Sequence, residues 1–280
     1  MFSISNETAW CPGCGNFGIL ESLKNALETL NLEPHKVLIS SGIGQAAKTP
    51  QYISTNMYNG LHGRSLPAGI AIKLANKDLT VLVESGDGCS YGEGGNHFIH
   101  AVRRNLDITH IVHNNQIYAL TKGQASPTTT RMQKTELQFD GVQLRQLNPI
   151  SLALGLGAGF VARCFSGDKV HLSLVIAEAI KFKGYALVDI LQPCPSFNRI
   201  NTFKWYKDRI YYLPETYDPT DIAAARVKAD EWGDQIPLGI IYKSSSLEYI
   251  SENPILNNNP PIVDLPLNPY YAAKFMEDFK

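Results

Sequence analysis

Four short apolar runs, each ending at a residue suited to a tight turn or a ligand, most constrain what this chain can become. Val37-Leu38-Ile39-Ser40-Ser41 ends at Gly42, and Leu79-Thr80-Val81-Leu82-Val83 ends just before Gly86. Ile108-Thr109-His110-Ile111-Val112 ends just before Asn114, and Tyr185 to Leu191 ends at Pro193-Cys194. Runs this short and this continuous suit strands of a parallel sheet buried on both faces. Helical patterns lie between them. Phe17 to Leu30 sets Leu20, Leu23, Leu27 and Leu30 on one face. Pro67 to Ala75, Asn96 to Arg103 and Lys169 to Phe182 read as helices too. Strand, helix, strand at this spacing requires right-handed crossovers. The expected class is therefore α/β, a mostly parallel sheet covered by helices on both faces.

Such a sheet predicts where ligands sit, because they bind beyond the carboxyl ends of its strands. Gly42, Gly86, Asn114 and Cys194 all follow predicted strands, so the candidate chemistry converges on one edge. Regularity fades after about Pro193. Residues 200–217 are rich in aromatic and basic side chains. Pro219 to Trp232 reads as one more helix and Leu238 to Tyr242 as one more strand. From Glu252 the chain is rich in Asn and Pro, the composition of an extended tail. The expected division is a domain over residues 1–200 and an irregular C-terminal arm over 201–280 that packs on the domain or on a partner subunit.

Charge narrows the partners. The 25 basic and 26 acidic side chains leave a net charge of -1, and no like-charged block stands out. Nothing here favours nucleic acid or a membrane surface. No apolar run approaches bilayer length, and residues 1–7 lack a basic and apolar leader, so a cytoplasmic location is expected. The five cysteines are odd in number and unevenly spaced. That pattern suits metal binding or buried reduced thiols rather than a disulfide scaffold.

Gly86-Asp87-Gly88, twenty-five intervening residues and Asn114-Asn115 form a pattern that resembles the thiamine diphosphate motif, which holds magnesium against a diphosphate. The chemistry fits, since magnesium prefers oxygen ligands and bridges protein to phosphate. Asp87 offers a carboxylate and Asn115 an amide oxygen, while Gly86 and Gly88 let the backbone approach a bulky anion. Gly92, Gly94 and Gly95 precede a helix whose N-terminus is expected to receive phosphate charge. Cys11 and Cys14 form a CxxC pair open to three readings: a redox dithiol, half a zinc site completed by His97 and His100, or half an iron–sulfur site. Cys89 and Cys164 read as buried thiols, whereas Cys194 sits at the functional edge. Lys48, His62, Arg64 and Lys122 fall in loops of that edge and are candidates for anion binding. Arg103 and Arg104 read as helix C-terminal charge.

Longer strings carry a more specific likeness. Trp10-Cys11-Pro12-Gly13-Cys14-Gly15, Leu61-His62-Gly63-Arg64, Gly94 to Asn105 with Asp107-Ile108-Thr109, and Gly123 to Thr128 together resemble the β subunit of 2-oxoacid:ferredoxin oxidoreductases, over about Trp10 to Phe197. The resemblance implies a thiamine diphosphate-binding fold. It also implies oxidative decarboxylation of a 2-oxoacid, or the reverse carboxylation, with coenzyme A and with ferredoxin or flavodoxin as electron carrier. By resemblance, Asp87, Asn115 and the Ile117 carbonyl hold Mg2+, and Gly44, Gly86 and Gly88 contact the cofactor. Cys11, Cys14 and Cys194 match three ligands of a 4Fe–4S cluster. Lys48 matches the residue that pairs with the substrate carboxylate, and Leu120 and Lys122 match positions near the substrate's far end. The family's activating glutamate belongs to the partner α subunit. One departure stands out: Gly42-Ile43-Gly44-Gln45 carries Gln45 where the family has a fourth cysteine. Open explanations include Gln45 or solvent on the fourth iron, Cys89 reaching in, a three-iron cluster, or no cluster at all. The last would suit a thiamine diphosphate-dependent decarboxylase or ligase without electron transfer.

Overall fold

In a computed structural model, residues 1–245, 247–266, 273, 274, 276, 277 and 279 are described. Eight strands form one sheet: β1 Val37–Ser41, β2 Asn56–Asn59, β3 Thr80–Gly86, β4 Ile108–Asn114, β5 Phe160–Phe165, β6 Tyr185–Leu191, β7 Ile210–Tyr212 and β8 Ile236–Lys243. Their order across the sheet is β2-β1-β3-β4-β6-β5-β8-β7. The first six run parallel, and β8 pairs antiparallel with β5.

Helices cover both faces. On one side α1 (Asn16–Thr29) and α5 (Lys169–Lys181) pack Ile19, Leu23, Leu27, Leu172 and Ile176 against Ile39, Leu82, Ile111 and Val188. On the other, α2 (Ser65–Ala75), α3 (Gly95–Arg104), α4 (Pro149–Gly155) and α7 (Ile222–Asp230) cover Val81, Val83, Val112 and Leu187. Every residue of β4, β5 and β6 is buried. That is why their sequences read as continuous apolar runs rather than as alternation.

The expected helices and strands appear within a few residues. The sheet also continues past residue 200. A short helix α6 (Phe203–Lys207), β7, α7 and β8 extend it, with Phe165, Leu191, Tyr206, Ile236 and Leu238 forming a third buried cluster. Beyond it, α8 (Tyr249–Glu252) and α9 (Pro254–Asn258) are single turns. Lys77 Nζ fastens this stretch by donating to the carbonyls of Leu256, Asn257 and Asn259. Among the described residues no helix is long and apolar enough to cross a membrane.

Candidate active site

The loops after β1, β3, β4 and β6 form two adjoining clefts at the carboxyl edge of the sheet. The first, about 460 Å3, is lined by Ile43, Gly44, Gln45, Ala46, His62, Gly86, Asp87, Gly88, Cys89, Asn115 and residues 117–121. The second, about 330 Å3, is lined by Trp10, Cys11, Cys14, Asn16, Gln45, Asn115, Ala119, Gln192, Cys194 and residues 195–197. Gln45, Asn115 and Ala119 belong to both.

Asp87 is the electrostatic centre of the first cleft. It is 1 % exposed. The hydroxyls of Ser126 and Thr128 each donate to its Oδ2 at 2.5 Å. Burial nevertheless outweighs them and pushes the carboxyl up to about 6, with Asp189 adding repulsion. A buried carboxylate this poorly neutralised is a natural cation ligand. Asn115 is set beside it by a turn at Gln116, whose φ of 60° lies in the left-handed region. Asn115 Oδ1 accepts from the Ile117 N–H at 3.0 Å, which fixes the amide and leaves a lone pair for a metal. These groups fit a magnesium–diphosphate unit.

A second tier holds Asp87 from behind. Thr128 Oγ1 also lies 2.9 Å from Asn114 Oδ1, and Asn114 Nδ2 donates to Asp189 Oδ2 at 3.1 Å. Tyr91 donates to Asp189 Oδ1 at 2.8 Å. Burial raises the Asp189 carboxyl, against the hydrogen bonds of Asn114 and Tyr91 and the charge of buried Arg163. Sequence reasoning singled out the string Gly123 to Thr128 but assigned Ser126 and Thr128 no role. It gave Asp189 and Arg163 none either.

Gly88 is required by packing, since a Cβ there would lie 2.2 Å from Tyr118 Cε1. The other glycines of the motif act differently from expectation. Residues Gly88–Glu93 already coil as one π-helical turn, closed by Gly94 N–H donating to Cys89 O at 3.0 Å, and α3 opens only at Gly95. Gly92, Gly94 and Gly95 therefore lie a turn away from the cleft, and Gly86 and Gly88 are the glycines that line it.

In the second cleft, Gly15 N–H donates to Pro193 O at 3.1 Å and ties the CxxC turn to the Cys194 loop. Only glycine permits this approach, because a Cβ at Gly15 would meet Gln192 Cγ at 2.9 Å. Burial pushes the Cys14 thiol up to about 11, and repulsion from Cys194 and Cys11 adds to the rise. Cys194 is raised as well, first by burial. Crowded thiols that resist ionisation favour a positively charged occupant. Among the described residues no three His, Cys, Asp or Glu side chains are arranged to hold a metal ion. A four-iron cube spreads its ligands around a cavity instead of converging them on one ion, and three cysteines around one cleft fit that demand. Gln192 Nε2 donates to Cys14 Sγ at 3.5 Å.

The remaining candidates divide. His62 and Leu120 line the first cleft, with His62 Nδ1 at 3.3 Å from Glu93 Oε2. Lys48 is half-buried on the turn after Gln45, and Arg64 and Lys122 are exposed. These three cations line neither cleft. His97 and His100 lie on α3, away from the cysteines. Cys164 is a buried thiol in β5, raised by burial. Cys89 also lines the first cleft rather than the second, and its Sγ accepts from the Gly63 N–H at 3.1 Å. It therefore does not replace the missing fourth cysteine.

Comparison with known proteins bears on the same residues. Residues 40–190 match the thiamine pyrophosphate enzyme C-terminal TPP binding domain, and residues 194–257 match the C-terminal family of the pyruvate ferredoxin oxidoreductase β chain. The 2-oxoacid:ferredoxin oxidoreductase subunit beta of Saccharolobus solfataricus is 44 % identical over 274 residues, covering 91 % of this chain and 90 % of that protein. The chain belongs to the 2-oxoacid:ferredoxin oxidoreductase β-subunit family. The β subunit is also 33 % identical to the 2-oxoglutarate synthase subunit KorB of Methanocaldococcus jannaschii, over 87 % of this chain and 90 % of that one. A solved 2-oxoglutarate:ferredoxin oxidoreductase from Magnetococcus marinus, with 2-oxoglutarate, coenzyme A and succinyl-CoA bound, superposes with a TM-score of 0.87 at 35 % identity. That match covers 89 % of this chain and 85 % of the solved one. The β subunit is thus part of an oxidoreductase with a thiamine diphosphate-binding domain. A decarboxylase or ligase without electron transfer is not favoured.

Proposed function

We propose that this β subunit, joined to an α subunit, oxidatively decarboxylates a 2-oxoacid, passes the acyl group to coenzyme A and sends electrons through an iron–sulfur cluster to ferredoxin or flavodoxin. The observation that carries this reading is the shared wall of the two clefts, Gln45, Asn115 and Ala119. An electron pair released in one cleft needs to cross only that wall.

In this reading Asp87, Asn115 and the Ile117 carbonyl hold Mg2+, and Cys11, Cys14 and Cys194 hold a 4Fe–4S cluster. Bound thiamine diphosphate supplies the electron sink that accepts the pair left when carbon dioxide departs. The chain's own residues position and exclude. Ser126 and Thr128 hold the Asp87 carboxylate toward the metal. Gly86 and Gly88 admit the diphosphate, and Gly44 flanks it. Leu120 and Tyr118 form an apolar wall that displaces water from the reacting carbon. His62 faces the same cleft and is a candidate proton carrier there. Lys48, half-buried on the turn after Gln45, would have to swing toward the first cleft to meet the substrate carboxylate, with Arg64 adding positive charge. Lys122, near the substrate's far end, suits a second carboxylate, as in the 2-oxoglutarate bound by the Magnetococcus marinus enzyme. The 190–194 break between the two family matches supports a functional division close to residue 200, with the C-terminal part contacting the α subunit.

The test is an anaerobic preparation of the αβ complex. Iron and acid-labile sulfide are counted per β chain, and ferredoxin reduction is followed with and without thiamine diphosphate and coenzyme A. Iron with matching sulfide, and reduction that needs both small molecules, is expected. A complex with bound thiamine diphosphate but neither iron nor sulfide would end this reading.

A further inference from the structure

We infer that the side-chain amide oxygen of Gln45 caps the fourth iron of the cluster, making that iron exchangeable. This rests on the cluster reading above. The second cleft presents three cysteine sulfurs, and a cubane has four irons, so one corner lacks a thiolate. Gln45 lines the same cleft, and its Oε1 is buried with no hydrogen-bond partner. An orphaned buried amide oxygen is costly unless something occupies it.

The loop fixes Gln45 by its backbone and leaves its side chain free. Trp10 Nε1 donates to Gln45 O at 2.9 Å, and the Trp10 ring stands edge-on to Tyr52 and Phe17 at 4.9 and 5.4 Å. The two asparagines of the cleft are engaged, and Ser196 is exposed to solvent. Asn16 Oδ1 pairs with His113 Nδ1 at 2.9 Å, and Asn115 Oδ1 accepts from Ile117 N–H. Gln192 Oε1 is also buried without a partner, but its amide is oriented by donating to Cys14 Sγ and, at 2.7 Å, to Pro193 O. Gln192 is thus placed as a hydrogen-bond donor to a thiolate, and Gln45 carries the buried amide oxygen left over.

Two consequences follow from the ligand chemistry. A neutral amide in place of a thiolate leaves the cluster one unit less negative, which moves its reduction potential in the positive direction. It also weakens one corner. A one-electron oxidant such as ferricyanide removes an electron from the 4Fe–4S(2+) core. Ferrous iron then departs, the Fe–O bond to Gln45 breaks, and a 3Fe–4S(1+) core remains on the three cysteines. Ferrous iron and one electron from dithionite reverse the step.

The test uses the anaerobic αβ complex of the native protein, Gln45→Cys, Gln45→Ala and Gln192→Ala. Iron released by ferricyanide is trapped with a ferrous chelator, and the paramagnetic three-iron form is followed by EPR. Native protein should release about one iron per cluster and regain it with ferrous iron and dithionite. Gln45→Cys should keep all its iron under the same oxidant. Gln45→Ala should hold only about three irons per cluster before any oxidant is added, and should show the three-iron EPR signal once ferricyanide is supplied. Identical release by native protein and both Gln45 variants would overturn the assignment while leaving the cluster in place. A change confined to Gln192→Ala would overturn it too, in favour of the other glutamine. Native complex with thiamine diphosphate and no iron would remove both this inference and the ferredoxin reading.

Discussion

If Asp87 holds Mg2+ as proposed, a proton on its carboxyl competes with the cation, and that competition has a measurable midpoint. Burial holds the carboxyl at about 6, although Ser126 and Thr128 both donate to it. An unfolded aspartic acid ionises near 3.9. The folded, unliganded chain therefore binds this proton more tightly than the unfolded chain does. The stability that this gives is present at low pH and is lost as pH rises from about 4 through about 6, roughly 3 kcal/mol for this group. A divalent cation against the carboxylate removes the penalty above the midpoint. Cofactor affinity should then be flat above about pH 7 and fall roughly tenfold between pH 7 and 5.

Because the cofactor's own phosphates also titrate, the decisive variant is Thr128→Val. Valine keeps the shape but withdraws a donor from the carboxylate, a hydrogen bond to a charged group worth about 1.5–3 kcal/mol. The midpoint should rise by about one to two pH units. Losing the hydroxyl beside Asn114 Oδ1 changes affinity at every pH and does not move the midpoint. The assay is calorimetric titration of the αβ complex with thiamine diphosphate at saturating magnesium, from pH 5 to pH 8. Equal midpoints in the two proteins would assign the titration to the cofactor and refute the argument.

Three further perturbations test the scaffold. Gly88→Ala drives a Cβ to 2.2 Å from the Tyr118 ring and should cost about 1–3 kcal/mol, read as a lower Tm and weaker cofactor binding. Restoration by adding Tyr118→Leu is expected, and an unchanged Tm would sink the packing argument. Asp189→Ala strands Arg163, Tyr91 and Asn114 and should cost about 3–5 kcal/mol in denaturant unfolding. Adding Arg163→Met should recover part of that loss. His110 is held down to about 3 by burial between Ser90 and Tyr185, so it stays neutral in the fold. Its penalty therefore grows as pH falls from about 6.5 toward 3, by up to roughly 5 kcal/mol, and His110→Gln should flatten acid unfolding over that range.

What could be read from sequence follows from where each element is buried. β1 and β6 ended at the expected residues because a strand in the interior of a parallel sheet stays apolar until the chain leaves the sheet. β2 escaped notice because Asn-Met-Tyr-Asn is exposed at the sheet edge and has no apolar signature. β5 was hidden by Arg163, a charge that splits the run yet is buried against Trp232 and the Ala229 carbonyl. Asp87 and Asn115 were legible because each sits directly after its strand. Ser126 and Thr128 were not, since they reach Asp87 from 39 and 41 residues along the chain, through a loop with neither helix nor strand.

The two clefts are adjacent because the sheet makes them so. β1, β3, β4 and β6 are successive neighbours, and parallel strands lie about 4.8 Å apart. Their carboxyl ends deliver Gln45, Asp87, Asn115 and Cys194 in that spatial order. Gln45 and Cys194 come from strands separated by two others, yet they line one cleft. The loops after β1 and β6 therefore meet over the ends of β3 and β4, where Asp87 and Asn115 stand. Separating the cysteine cleft from the carboxylate cleft would require unpairing the most buried strands in the protein. Changes at Gln45, which lines both clefts, and at Asn114 or Gln192, whose backbones pair at 3.0 Å across that junction, should therefore be felt in both clefts.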